Sequence, residues 1–505
     1  MLQRGAFKTP AEAADAEPSA ITVLALALAF FAALSIYFAV VEGPGRLHHD
    51  MSEAFAWGQE FQLGYHQHPP FWAWICGVWF MVFPHEIWAF GILSAVNATL
   101  GLYGAWLLIG DFSHARQRLT ATALLLLIPS YTYLAFKYNA NIILISLWPL
   151  TLHAFMRAID SGRARDALAF GLLIGMALMS KYYSLILIAT CAISALAHPR
   201  RDGYLRSMSP IISAAVATLI CSPHVWWLAT HNAPPVRYLQ HMSGLSWSEM
   251  ATYIGSTLLG AIKLNALAVI VVAILARTRP RDWIETTRRR WQDPRFRVLA
   301  ILALAPLVLT FVAAVVMRTR IYAEMIFGIF PLTTLLAMEA MGVADIDRAW
   351  RAASKVALAV VVGGVIASPV ISAATIYYSG NAMNVMPSRE LAYEATRIWR
   401  AETGTPLAYV AAFGSYEQAA AFFSPDHPHA FIEFDYDRSP WVKADDLVKR
   451  GFLAICPKDN LECLHATDQF AGADAKRSEL TLAHSAFGHT AKPIRFVLTV
   501  IPPRS

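Results

Sequence analysis

The chain has 505 residues, 56% of them hydrophobic and only 15% charged, and its mean hydropathy is +0.44. Soluble domains carry about 25% charged residues. A soluble globular protein is therefore excluded, and a polytopic α-helical membrane protein with room for one soluble domain is implied. The formal charge of +6 does not indicate a nucleic-acid partner, because the basic excess lies in short loops between apolar runs.

Residues 1–18 are polar and mixed in charge. The apolar run at 20–41 is long enough to cross a bilayer, so it is expected to remain as an anchor rather than be cleaved. A polar and aromatic loop at 42–86 follows. Gly64 and Pro69-Pro70 divide its stretch 54–83 into halves too short to span. Two interfacial helices are expected there, at 54–63 and 71–83, with Trp57, Trp72, Trp74 and Trp79 at the membrane boundary.

Ten further apolar runs, at 87–109, 119–136, 140–158, 167–180, 183–197, 207–228, 253–276, 297–317, 321–342 and 356–378, bring the expected spans to about eleven. Lys181 splits 167–180 from 183–197, so these could form one broken pair. Arginines and lysines fall mostly in one set of loops: Arg4, Lys8, Arg116, Arg118, Arg157, Arg163, Arg165, Arg200, Arg201, Arg206, the cluster 277–297, Arg348, Arg351 and Lys355. The opposite set holds Arg46, Lys137, Lys181, Arg237, Arg318 and Arg320. The first set is expected in the cytoplasm with the amino terminus. Asp50, the loop 229–252 and the tail are then outside.

After residue 380 the pattern changes. Residues 390–400 read as a helix, and LAYVAAF, HAFIEF and FLAIC as short buried strands between Gly, Pro and Asp turns. A membrane domain at 1–380 and a small α/β domain at 381–505 are expected. Cys76, Cys191 and Cys221 lie in apolar stretches and read as small core residues. Cys456 and Cys463 flank a polar segment and could form a disulfide in an oxidising compartment.

Asp50 is the leading candidate for chemistry. A carboxylate at the lipid–water boundary suits removal of a proton from a hydroxyl that receives a lipid-carried group. Glu53, three residues on, would share its helix face. The alternative for Asp50 is a solvated loop carboxylate. Cations on the same side are His68, Lys181, Arg237, Arg318 and Arg320. They could neutralise a phosphate leaving group. Arg318 and Arg320 could instead snorkel to head groups, and Lys181 could belong to a structural ion pair. Asn139 and Asn141 could bind sugar hydroxyls or cap a helix. His224 sits with Trp226, Trp227 and His231 at another outer boundary, either as belt or as sugar-binding surface. Tyr65, His66, Arg237 and Tyr322 complete the expected substrate contacts. The histidines at 48, 49, 66 and 68 do not match a compact zinc motif, so no metal is expected, although a divalent ion remains possible.

The order Asp50, Trp57-Gly58-Gln59, Gly64-Tyr65, His68-Pro69-Pro70, Trp74 resembles the first outer loop of the GT-C superfamily of polyprenyl-phosphate-dependent glycosyltransferases. The likeness is to the bacterial relatives of protein mannosyltransferase, and within them to lipid A aminoarabinose transferase and rhizobial lipopolysaccharide galacturonosyltransferases. The resemblance implies the GT-C fold, Asp50 as catalytic base and His68 near the donor phosphate. It further implies an undecaprenyl-phosphate-linked sugar as donor and a lipid A, lipopolysaccharide or other envelope acceptor in the bacterial inner membrane. The family's Asp-Glu pair is Asp50-Met51 here, so the second carboxylate is absent from its usual place and Glu53 is the substitute in reach. No GxGxxG, Walker or Ser-x-x-Lys motif occurs, so direct use of a nucleotide is not expected. The rival readings are a protein O-glycosyltransferase of the same fold, a flippase of lipid-linked sugar, or an inactive scaffold. A flippase would need polar groups at mid-membrane, and the spans offer few beyond Lys263, Glu324 and Glu339.

Overall fold

A computed structural model describes residues 19–42, 47–378, 386–486 and 488–504. Arg4, Lys8, Arg46 and the expected domain boundary at 380 lie outside them. Helix α1 (Ala20–Glu42) is followed by α2 (His49–Gly58), α3 (Phe71–Val82), α4 (Ile87–Gly110) and α5 (Ala115–Leu125). Then come α6 (Leu144–Ser161), α7 (Ala164–Ser180), α8 (Ser184–Ala197), α9 (Arg201–Arg206) and α10 (Ser209–Thr230). The bundle closes with α11 (Pro234–Met242), α12 (Trp247–Ala276), α13 (Pro280–Arg290), α14 (Pro294–Met317), α15 (Thr333–Met341) and α16 (Ile346–Tyr378).

Among the described residues, α1, α4, α10, α12, α14 and α16 have the length and hydropathy to cross a membrane. Their outward side chains, including Leu24, Leu219, Ile274, Val316 and Ile366, stay more than half exposed, as a lipid-facing surface must be. A seventh span is possible in the pair formed by the 3₁₀ segment Ala323–Ile329 and α15, bent by 69° where Pro331 interrupts the backbone ladder. The run 119–136 is not one helix. α5 stops at Leu125, and 3₁₀ turns at Pro129–Tyr131 and Tyr133–Phe136 follow, because Pro129 offers no N–H and disfavours helix before it. Lys181 does separate α7 from α8, with extended backbone at the break.

The bundle has two chemically distinct ends. At one, Leu245 N–H donates to Arg318 O (3.1 Å), joining the start of α12 to the end of α14. Asp50, Asn139 and Lys181 share this end. At the other, Arg290 pairs with Glu339 (3.0 Å) and Arg116 with Asp347 (3.2 Å).

The loop 42–86 differs from expectation. The first helix starts at His49 rather than 54, and it is buried rather than interfacial: Met51, Ala54, Phe55, Ala56 and Trp57 are all covered. Trp57 and Trp72 belong to the core, not to an aromatic belt. The reason is the carboxyl-terminal domain, which lies over α2. α3 is more nearly as expected, with Val78, Met81 and Val82 exposed.

The carboxyl-terminal domain contains α17 (Ser388–Thr403), β1 (Tyr409–Ala412), α18 (Tyr416–Phe423), β2 (His429–Ile432), α19 (Ala444–Arg450), β3 (Phe452–Pro457) and α20 (Leu461–Phe470). The strands β4 (Lys476–Leu482), β5 (Ser485–Ala486), β6 (His489–Thr490) and β7 (Ile494–Ile501) complete it. The main sheet has the order β2-β1-β3-β7-β4, with β1 parallel to β2 and β3, and β7 antiparallel to β3 and β4. Cys456 and Cys463 are joined, with Cα atoms 5.6 Å apart, tying β3 to α20. α18 packs directly on α2, so the carboxyl-terminal domain reaches the candidate site.

Candidate active site

α2 opens with His48 as its cap, whose ring accepts from Asp50 N–H. This places Asp50 in the first turn, where the helix dipole favours a negative charge. Its side chain is 22% exposed and lies 3.0 Å from His49 Nε2 and 3.8 Å from His48 Nδ1. Asn139 Nδ2 donates to Asp50 Oδ2 at 2.7 Å. The orientation of that amide is fixed, because Asn139 Oδ1 accepts from the backbone N–H groups of Asn141 and Ile142, each at 2.8 Å. Burial alone would raise the Asp50 pKa. The hydrogen bond from His49, the charges of His48 and His49 and the bond from Asn139 outweigh burial and hold Asp50 well below the usual carboxylate range.

Lys181 extends this chain. Its ammonium donates to Asn141 Oδ1, from the break between α7 and α8 where it is 8% exposed. Asp50, Asn139, Asn141 and Lys181 thus form one polar line across three segments. Lys137, two residues before Asn139, pairs with Glu324 at 3.5 Å.

Glu53 behaves oppositely to Asp50. Burial first, then the charges of Asp50 and Glu417, push its pKa up to about 8, against the pull of Lys181. Glu417 comes from α18, is 1% exposed, and has one carboxylate oxygen without a hydrogen-bond partner. Burial raises it to about 8 as well. Two carboxyls near each other with opposite shifts separate a proton acceptor from a proton holder. Nothing in the sequence pattern singles out Glu417, which lies far along the chain in a helix with no motif.

Other expected site residues have different places. His68 is packed near Trp57 and Trp72, with ring centroids 6.4 and 6.1 Å away. Burial and then the Lys181 charge push it down to about 3, so it is a neutral imidazole and not the cation expected for the phosphate. Tyr65 is buried, stacks on Trp57 at 4.7 Å and donates its hydroxyl to Trp57 O at 2.6 Å. It braces the loop and is not open to substrate. His224 is also structural: its ring nitrogens engage Leu63 O (2.7 Å) and the Tyr182 hydroxyl (2.6 Å). Arg318 has φ +48 and binds Leu245 O through its guanidinium, so it closes a turn instead of facing Asp50. Arg237 pairs with Asp437 of the carboxyl-terminal domain at 3.3 Å. Tyr322 is 41% exposed, and burial raises its pKa against the pull of the Arg320 charge. His66 lies edge-on to Tyr238 at 5.7 Å, held near 4 by burial and then by the Arg438 charge. Asn139 and Asn141 are turned toward Asp50, the backbone and Lys181, so their hydrogen bonds serve the site itself rather than a sugar directly. One imidazole nitrogen from each of His48 and His49 and an oxygen of Asp50 lie within 4.8 Å of one another, a donor set that a divalent ion could accept.

The chain is similar to several known proteins. Residues 67–227 match the family described as dolichyl-phosphate-mannose-protein mannosyltransferase, a segment that begins after Asp50. The lipid A galacturonosyltransferase RgtD of Rhizobium johnstonii is 26% identical over 40% of this chain and 42% of its own length. The lipopolysaccharide core galacturonosyltransferases RgtB and RgtA of the same organism are each 28% identical. The RgtB match covers 66% of this chain and 69% of the relative, and the RgtA match 64% and 66%. The chain thus spans less than half of the first relative and about two thirds of the others. Among solved structures, ArnT from Cupriavidus metallidurans bound to undecaprenyl phosphate superposes with a TM-score of 0.61 at 12% identity, over 95% of this chain and 98% of ArnT. Its apo state gives the same TM-score at 14% identity. The matching segment and the rhizobial relatives make the chain similar to polyprenyl-phosphate-dependent glycosyltransferases, and its fold is that of ArnT over nearly the whole length.

Proposed function

We propose that this chain moves one sugar from an undecaprenyl-phosphate carrier to a hydroxyl of lipid A or the lipopolysaccharide core. The relatives named above make galacturonic acid the first donor sugar to try. The carrying observation is Asp50, ionised and aimed by His49 and Asn139, in a polar line that ends at Lys181. The acceptor oxygen attacks the anomeric carbon, the carbon–oxygen bond to phosphate breaks, and the carrier phosphate leaves with the electron pair. The acceptor proton passes to Asp50. An acid as strong as Asp50 takes that proton only as the new bond forms and the hydroxyl acidifies. Lys181 supplies the positive charge that offsets the leaving phosphate, and neutral His68 supplies at most an N–H.

In this reading the reaction needs no metal, the amino terminus is cytoplasmic, and the outer domain is periplasmic in a bacterial inner membrane. The test is transfer by purified protein in lipid, with undecaprenyl-phosphate galacturonic acid and related donors against lipid A, core and peptide acceptors. Transfer lost in Asp50→Asn and unchanged by a chelator supports the proposal. Equal rates in wild type and Asp50→Asn would remove Asp50 from the chemistry. Activity that a chelator abolishes and a divalent ion restores would replace the metal-free scheme with one using the His48, His49 and Asp50 donors.

A further inference from the structure

At the bundle end opposite Asp50, the connection between two spans is itself a helix with one face left open. α12 ends at Ala276 and α14 begins at Pro294, so α13 connects the ends of two helices that have the length and hydropathy of spans. Asp282 accepts from Arg279 N–H (2.9 Å) to start it. One side is packed. Trp283 Nε1 donates to Thr278 (2.9 Å), Arg290 pairs with Glu339 of α15 (3.0 Å), and Thr286 meets Gly342.

The other side is a stripe of Arg281, Ile284, Arg288 and Trp291, spaced three, four and three apart on one helical face. Ile284 is 68% exposed and Trp291 49%. A shallow concavity of about 490 Å³ lies along it, lined by Pro280, Trp283, Ile284, Thr287, Arg288 and Trp291. Residues 277–297 carry eight arginines against three acids. Exposed Ile and Trp have no reason to face water beside a bilayer, and arginines alternating with them fit anionic phosphates.

We propose that α13 is an acidic-phospholipid site. Ile284 and Trp291 enter the leaflet opposite Asp50, and Arg281 and Arg288 bind lipid phosphates. The claim is independent of the transfer reaction.

The test uses full-length Cys221→Ala protein in nanodiscs, Cys76 and Cys191 being buried. A spin label is placed at Ile284→Cys or Glu285→Cys, in phosphatidylcholine alone or with phosphatidylglycerol. The expected result is that the 284 label is reached by oxygen and shielded from an aqueous nickel reagent, while the 285 label is not shielded. The shielding deepens with phosphatidylglycerol. Native mass spectrometry should show phosphatidylglycerol retention falling about tenfold or more in Arg281→Gln/Arg288→Gln, given the usual attraction per arginine. Equal aqueous access at 284 and 285 would overturn the insertion. A shielded 284 label with no dependence on phosphatidylglycerol, or undiminished retention in a monodisperse double variant, would overturn the head-group assignment.

Discussion

Asn139 fixes the state of Asp50 by hydrogen-bond polarity. Its carbonyl is committed to two backbone N–H groups, so only its NH₂ can face the carboxylate, and an NH₂ stabilises the ionised form. Asn139→Ala should leave Asp50 misaimed and lower kcat about 10- to 100-fold, since one charge-assisted bond is worth about 1.5–3 kcal/mol. KM for the donor should change little, and steady-state transfer kinetics would show the split. Asn139→Asp should be worse, because it sets two carboxylates together. A second prediction concerns Glu53 and Glu417. Both fold with pKa values raised to about 8. The folded state therefore binds more protons than the unfolded one between about pH 4.5 and 8, and stability falls as pH rises through that window. Thermal unfolding in detergent should show Tm dropping from pH 5 to 8, with Glu417→Gln flattening the slope and raising Tm at pH 8. An unchanged slope would mean the two carboxyls do not hold protons. Asp50 was legible in the sequence because its motif is local, all within His48–Trp74. The pairings were not: Asn139 read as a sugar contact or a helix cap and Glu417 drew no notice, because both arrive from distant segments and no spacing rule links position 50 to 139 or 53 to 417.

At the scale of elements, the crossing of α2 and α3 sets where Asp50 sits. Gly58 and Gly77 meet backbone to backbone, and a Cβ on Gly58 would lie 2.5 Å from Ala73 O. Gly64 likewise leaves the space that the Trp227 ring occupies, joining the loop after α2 to α10. Gly77→Ala should therefore force α2 away from α3, costing about 1–3 kcal/mol as overpacking does, and lower activity with Tm. Gly255→Ala on α12 is the control. Nothing lies within 4 Å of its added Cβ, and alanine favours helix there by about 1 kcal/mol, so Tm should hold or rise. Thermal unfolding and transfer rate measured together would separate the two. The long apolar helices are plain in the sequence because twenty apolar residues suit little else. Strands β1, β2 and β3 are also plain, as apolar runs between turns. The burial of α2 is not, since its aromatics fit an interfacial helix equally well until α18 is placed over them. β4 escaped because it is an edge strand, exposed at alternate positions, with a polar sequence.

In the whole molecule, the carboxyl-terminal domain and the membrane bundle meet over α2 through two kinds of contact. One is polar. His429 Nδ1 lies 2.7 Å from Glu60 Oε1, and Arg389 pairs with Glu86 at 2.6 Å. The other is aromatic. Phe422 of α18 is fully buried and touches Phe55, Phe80 and Phe90 with ring centroids 5.2, 5.3 and 5.4 Å apart. Magnitudes decide between them. His429 is 45% exposed, and such a pair is worth about 1 kcal/mol or less. Truncating a buried Phe costs about 3–5 kcal/mol. The Glu60 hydrogen bond, opposed by burial and aided by the Glu60 charge, raises the His429 pKa above its ordinary value. Its contribution is then fully present below about pH 6.5 and is lost as pH rises through the raised value. Docking should thus loosen slightly in alkali in the wild type, and His429→Ala should remove that pH dependence while leaving the domain docked. Phe422→Ala should release it at every pH. Limited proteolysis followed by fragment analysis would show rapid liberation of the carboxyl-terminal domain in Phe422→Ala, with activity falling in parallel as Glu417 is withdrawn from Glu53. If His429→Ala released the domain as readily as Phe422→Ala, the polar contacts and not the aromatic cluster would hold the two halves together.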